Sequence, residues 1–272
     1  MPPLAAASLL VDSPMHSKSL LPLTFGLALT LLAGACSSEE PPPADATPGR
    51  PVDPATAGSL SGKVTFTGAA SPAEVLRMGT DQACIQGAGP NPQSDAVLVG
   101  EDGALQNVFV YVKAGLDSSY AFDTPVAPVV LDQKGCRYTP RVLGVRVGQP
   151  IRVLNSDPTL HNVHALPMVN NEFNKSTPTL GSNTTQTFTA PEVMVRFKCD
   201  VHGWMAAWVG VVAHPFFAVS DQTGAFEIQG LPPGTYTIEA WHEKFGTRTS
   251  AITIADKQAQ TVSFSFTAAT GQ

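Results

Sequence analysis

From Asp221 to the end, the chain alternates apolar and polar side chains with a period of two, broken only by turn residues. Asp221-Gln222-Thr223-Gly224 reads as a turn and Ala225 to Gln229 as a strand. Gly230-Leu231-Pro232-Pro233-Gly234 turns into a cleanly alternating strand at Thr235 to Trp241, and two more strands follow at Ser250 to Ile254 and Thr261 to Phe266. This period puts every second side chain on one face of a pleated sheet and cannot make the stripe that a core-facing helix needs. Composition extends the argument to the rest of the chain. With 23 glycines, 24 prolines and only 14% charged residues in 272, the sequence suits many short strands joined by turns. One short helix is expected, opened by the cap Ser71, the first-turn Pro72 and the capping-box Glu74 and running through Met78. The expected fold class is all-β, in about two domains.

The start of the chain reads as an address and a tether. Lys18 supplies a positive charge, Leu20 to Leu32 an apolar stretch and Ala33-Gly34-Ala35 the small residues before a cleavage site, so residues 1–35 are expected to be an export signal. Leu31-Leu32-Ala33-Gly34-Ala35-Cys36 resembles the lipobox of bacterial lipoproteins. That resemblance implies lipidation of Cys36 and attachment to a membrane by the lipid anchor only. Ser37 lacks the aspartate that retains such proteins in the inner membrane, which favours the outer one. Residues 36–58 form a proline-rich linker, expected to be extended. The expected location is therefore the periplasm or the cell surface. A net charge of −6 gives no basic surface for nucleic acid, so no nucleic-acid partner is expected.

Cysteine usage divides the remaining work. In an exported protein the economical pairing of the two cysteines without another role, Cys84 and Cys136, is a disulfide. Cys199 instead opens the run Cys199-Asp200-Val201-His202-Gly203-Trp204-Met205, which places a thiolate, an imidazole and a thioether within seven residues. This soft donor set selects copper, and two imidazoles with one thiolate under a weak axial methionine describe a blue-copper centre. The second imidazole is assigned to His161, at the end of a turn that follows the strand Ile151 to Asn155. Asn162 is expected to hold the two loops together through the backbone or Asp200. His164, at an odd offset from His161, should point away from the metal. Met168 and Met194 read as gap-fillers, and His214 and His242 as structural residues.

Tyr138-Thr139-Pro140, Val145-Arg146-Val147-Gly148, His161-Asn162-Val163-His164, Phe188-Thr189-Ala190 and the Cys199 to Met205 loop together resemble the cupredoxin family, in its amicyanin-like form with a short ligand loop. The resemblance spans about residues 128 to 213. It implies a Greek-key β-sandwich and one type 1 copper held by His161, Cys199, His202 and Met205. Two positions depart from the family pattern: Asp200 stands where relatives often have Thr or Ser, and Gly203 where they have Pro. The run from Asp221 through Tyr236 resembles carboxypeptidase regulatory-like domains, which are transthyretin-like β-sandwiches. Ser61 to Phe66 resembles the opening strand of such a domain and Asn107 to Lys113 the next. The expected organisation is thus a nested one: first regulatory-like strands in 59–124, a cupredoxin domain in 125–214, and the remaining regulatory-like strands in 215–272.

The resemblance implies transfer of single electrons between redox protein partners. In cupredoxins the loop histidine reaches the surface through an apolar patch, which makes His202 the expected electron port and Trp204, Leu160, Leu166, Pro167 and Met168 the expected docking residues. Copper storage or sensing, or a surface β-sandwich binding module, are the alternatives. Catalysis is not expected. The chain has six histidines, none in the paired H-x-H pattern of multicopper enzymes, and no G-x-S-x-G nucleophile elbow.

Overall fold

The computed structural model describes residues 49–268. The expected export signal at 1–35, the expected lipidation site Cys36 and the expected linker as far as residue 48 lie outside the described residues. Two strands come first, β1 (Gly58–Thr67) and β2 (Phe109–Ala114), with a seven-residue helix α1 (Gln82–Ala88) between them. Then come β3 (Val129–Gln133), β4 (Tyr138–Thr139), β5 (Val142–Arg146), β6 (Ile151–Asn155), β7 (His161–Leu166) and β8 (Phe173–Thr177). β9 (Asn183–Gln186), β10 (Glu192–Lys198) and β11 (Ala206–Val212) continue the series. The last strands are β12 (Phe217–Val219), β13 (Ala225–Leu231), β14 (Gly234–His242), β15 (Gly246–Ile254) and β16 (Ala259–Thr267).

The strands build four sheets. β1 lies between β13 and β16, antiparallel to the first and parallel to the second, while β2 lies between β12 and β14, with β15 beyond. The early strands β1 and β2 therefore make ladders with strands from the far end of the chain. The intervening strands pair among themselves, as β5-β11-β10-β7-β8 and β4-β3-β6-β9. The fold is all-β, as the alternation demanded. Leu60, Val64 and Phe66 on β1, Phe226 and Ile228 on β13, Tyr236, Ile238 and Ala240 on β14, and Phe264 and Phe266 on β16 share one buried cluster, each strand contributing alternate residues.

A second core fills the space between the other two sheets, and a small aromatic junction joins the two. Phe109, Tyr111, Val142 and Val212 pack there with Trp208, Phe217 and Trp241. Two glycines make this approach possible. A Cβ on Gly144 would lie 2.3 Å from the Phe217 ring, and one on Gly210 2.4 Å from that of Phe109, so both rings rest directly on bare backbone. Arg141 reinforces the junction from the side by pairing with Glu243 and Asp95.

The helix expected at Ser71–Met78 is absent. The backbone there is extended, with Val75 bridged to Gln93 and with Leu76 N donating to Pro92 O (2.7 Å) and Ser94 N to Glu74 O (2.7 Å). These bonds take the Leu76 amide and the Glu74 carbonyl that a helix would have needed for its own ladder, and no apolar stripe favours the helical alternative. The helix lies one turn of chain later, where Asp81 caps it with Oδ1 accepting from Ala83 N (2.9 Å) and Cys84 N (3.2 Å).

Candidate metal centre

Strand parity brings the ligand residues together. On β10 the inward residues are Val195 and Phe197, on β7 Val163 and Ala165, and on β11 Ala207, Val209 and Val211, all buried in one core. Cys199, His161 and Met205 continue those odd-numbered series at the end of the sandwich where β10 turns into β11. The turn is closed by Cys199 N donating to Met205 O (3.4 Å) and Met205 N to His202 O (2.9 Å), and Lys198 lies opposite both Ala206 and His164 in the ladders. His202 is supplied by the loop itself.

One donor atom each of His161, Cys199 and His202 falls within a 4.8 Å group, and all three residues are buried. His161 Nδ1 and His202 Nδ1 are 3.0 Å apart, and Cys199 Sγ is 3.9 Å from His202 Nδ1. Two nitrogens about 2.0 Å and a sulfur about 2.3 Å from a shared ion span these separations, so the donors fit a small soft metal. Met205 is buried beside Cys199 in the same core.

Each imidazole is held from outside through its other nitrogen. His161 Nε2 meets Asp157 Oδ2 at 2.9 Å, and Asp157 is itself fixed by Gly135 N (2.7 Å), Cys136 N (2.8 Å) and, at its own amide, Asn155 Oδ1 (2.8 Å). A carboxylate only accepts, so this contact keeps a proton on Nε2 and makes Nδ1 the nitrogen at which a metal would replace a proton. Asn155, fully buried, also donates to Thr159 O and Thr177 O, both at 2.8 Å, and so sets the turn that delivers His161. Burial opposes charge on His161, but Asp157 and Cys199 outweigh it and raise the metal-free ring to about 9. Burial also works against a Cys199 thiolate, yet hydrogen bonds from His161 and from the Asn162, His202 and Val201 amides pull the thiol below its ordinary value. The site is thus built to hold a thiolate.

Asn162 stands between the loops: its Oδ1 accepts from Asp200 N (2.7 Å) and lies 3.2 Å from Cys199 Sγ, while its Nδ2 donates to Asn174 Oδ1 (2.7 Å) and Asp200 Oδ2 (3.1 Å). Tyr138 closes the same corner by donating to Asn162 O (2.7 Å). His164 lies on the opposite face, between Asp200 (2.9 Å) and Glu172 (2.7 Å). Cys84 and Cys136 form a disulfide across 52 positions, with Cα atoms 5.3 Å apart. His214 bonds Val112 O, and His242 stacks on Phe245 with ring centroids 4.6 Å apart.

The expected electron port requires correction. His202 is 3% exposed, with its outer edge closed by α1: Nε2 is 3.2 Å from Asp81 Oδ2 and 3.5 Å from Cys84 Sγ. The Trp204 indole lies 5.1 Å from the His202 ring and donates to Cys136 O (3.0 Å), so it packs against the disulfide instead of leading an exposed patch. Leu166, Pro167 and Met168 come at the far end of β7 from His161, roughly 20 Å away at strand rise. Met168 is 96% exposed there, and Leu160, at 44%, is the one expected docking residue both exposed and adjacent to a ligand. Sequence reading also missed Asp81, Asp157 and Asn155. The four-residue spacing of Asp157 before His161 was visible, but Asp81 lies 121 positions from His202 and left no local signal.

Residues 209–267 match the carboxypeptidase regulatory-like domain family, a span covering β12 to β16 but neither β1 nor β2. No curated protein matches the chain. Among solved structures, the Cu-containing nitrite reductase of Thermus scotoductus is 22% identical over 36% of this chain, with a TM-score of 0.28, and the chain spans only 24% of its length. The Cu(I) form of an amicyanin point mutant is 22% identical over 39% of this chain and 99% of its own, with a TM-score of 0.29. A purple cupredoxin from Nitrosopumilus maritimus is 20% identical over 32% of this chain and 99% of its own, with a TM-score of 0.27. At these values the similarity is weak and partial, and the functional reading rests on the donor geometry.

Proposed function

We propose that this chain binds one copper ion as a type 1 centre at His161, Cys199, His202 and Met205, and carries single electrons between redox proteins without turning over a substrate. The observation that carries this reading is the convergence of two imidazole Nδ1 atoms and one thiol at the buried end of the sandwich. A bound copper supplies a one-electron Cu(II)/Cu(I) couple. The chain's own residues would hold the ion: Cys199 would give the strongly donating sulfur, His161 and His202 the imidazole nitrogens, and Met205 a weak thioether. Asp157 and Asn155 hold the His161 ring, and Asn162 ties the two ligand loops, so the donor set stays in place while the charge on the metal changes. Burial of all four ligands leaves no open position for a substrate, which supports electron carriage over catalysis.

The same proposal places the protein outside the cytoplasm on a lipid anchor at Cys36, with β3 to β11 as a copper domain nested in a regulatory-like sandwich. The ladders of β1 with β13 and β16 support the nesting. Hydrogen exchange in which β1 and β2 are protected together with β12 to β16 checks it.

The test of the copper reading is a visible spectrum of the full chain during Cu(II) titration, with Cys199→Ser alongside. An intense thiolate-to-copper charge-transfer band that saturates at one equivalent and vanishes in the variant is expected. A parent protein with no such band refutes the reading.

A further inference from the structure

His202 is the ligand that stands on a loop, and its outer edge is covered by a helix too short to persist alone. Seven residues of isolated helix are unstable in water, so α1 keeps its place through its cap and its staple. Asp81 divides its two oxygens between these tasks. Oδ1 takes the Ala83 and Cys84 amides, while Oδ2 accepts from Thr159 Oγ1 (2.8 Å) and faces His202 Nε2 (3.2 Å). The staple ties both ends to the same ring. Cys84 Sγ lies 3.5 Å from His202 Nε2, and Cys136 O accepts from Trp204, whose indole covers the imidazole face.

We propose that α1, carrying Asp81 and held by the Cys84–Cys136 disulfide, is a positioning cap for His202. It fixes the ring as its Nε2–H tautomer with Nδ1 directed at the metal, and it closes the edge by which the ring would swing out and let the ion leave. Asp81 never touches the metal and acts through the imidazole. This rests on the copper reading for its consequence, metal retention, while the tautomer can be read with no metal present.

The test is Asp81→Asn in the full chain. Asparagine is an equally good helix cap and its Oδ1 still accepts the Ala83 and Cys84 amides, but its amide group cannot accept from His202 Nε2–H. In the metal-free protein at alkaline pH, where His161 is a neutral ring and no longer donates to His202 Nδ1, imidazole ¹⁵N spectra are expected to show His202 as a single Nε2–H tautomer in the parent and a mixture in the variant. In the copper-loaded protein, release to a Cu(I) chelator is expected to be about tenfold faster. Losing a carboxylate next to the ligand also lowers the preference for Cu(II) over Cu(I) by about tenfold, a rise of about 59 mV in potential. Cys84→Ala/Cys136→Ala, which keeps Asp81 and frees the helix, is expected to move all three readouts the same way. A parent-like tautomer in Asp81→Asn overturns the proposal, and a tautomer mixture with parent-like release overturns the retention role. A parent without the charge-transfer band counts against the copper reading alone, because the imidazole spectra still decide whether Asp81 positions His202.

Discussion

Removing the staple tests how the two halves of the chain are held. The disulfide closes a loop across 52 positions that contains the whole of β2, so it ties a segment preceding β2 to the turn between β3 and β4. β2 itself is laddered to β12 and β14, so this loop threads from one sandwich into the other. In the chain-entropy treatment such a closure restricts the unfolded state by about 14 cal/mol/K, or about 4 kcal/mol at 25 °C. Both sulfurs are fully buried, and alanine avoids leaving a hydroxyl unpaired there. Cys84→Ala/Cys136→Ala is therefore expected to lose about 4 kcal/mol relative to the oxidised parent. In a domain assembly of this size that corresponds to roughly 8 to 16 °C in Tm. The assay is urea unfolding of both metal-free proteins, followed by tryptophan fluorescence and by far-ultraviolet circular dichroism to test that the transitions coincide. A loss below about 1 kcal/mol would refute the loop-closure argument, since the unfolded chain would then gain little freedom when the bond is absent.

Other perturbations address the junction, the ligand turn and the acid limb. Gly210→Ala puts a methyl against the Phe109 ring, three of whose atoms lie under 3.0 Å from the new Cβ, and should destabilise by about 1 to 3 kcal/mol in thermal unfolding. Asn155→Ala strips partners from the Asp157 amide and from the carbonyls of Thr159 and Thr177. A loss of roughly 2 to 4 kcal/mol is expected, with weaker copper binding in a competition titration; unchanged affinity would detach this turn from the site. Burial pushes His242 down to about 4 from the ordinary histidine value of 6.5. The unfolded chain thus takes up a proton that the folded one refuses as pH falls from about 6.5 to 4, and about 3 kcal/mol of stability is lost over that window. His242→Phe, which keeps the stacking on Phe245, should flatten this part of the stability-versus-pH curve.

The alternation of side chains was enough to establish an all-β fold and the strands of the last fifty residues, because one buried face per strand is a local property that each segment carries in its own order of residues. Ile151 to Asn155 is a strand as read, and Ala225 to Gln229, Thr235 to Trp241 and Thr261 to Phe266 lie within β13, β14 and β16. The ligand run was legible for the same reason: Cys199, His202 and Met205 share one tight loop, and a three-residue spacing survives any tertiary arrangement. Tertiary structure alone decided what surrounds them. No helix forms at Ser71–Met78 because the Leu76 amide and the Glu74 carbonyl found partners across the chain, and a capping signal worth about 1 kcal/mol cannot compete with that pairing. The covering of His202 by Asp81 and Cys84 joins residues more than a hundred positions apart, and no local pattern encodes such a contact. Local order of side chains therefore determined the fold class and the donor atoms, whereas the pairing of the sheets, the environment of the donors, and with it the way to the metal, were settled only when distant strands packed.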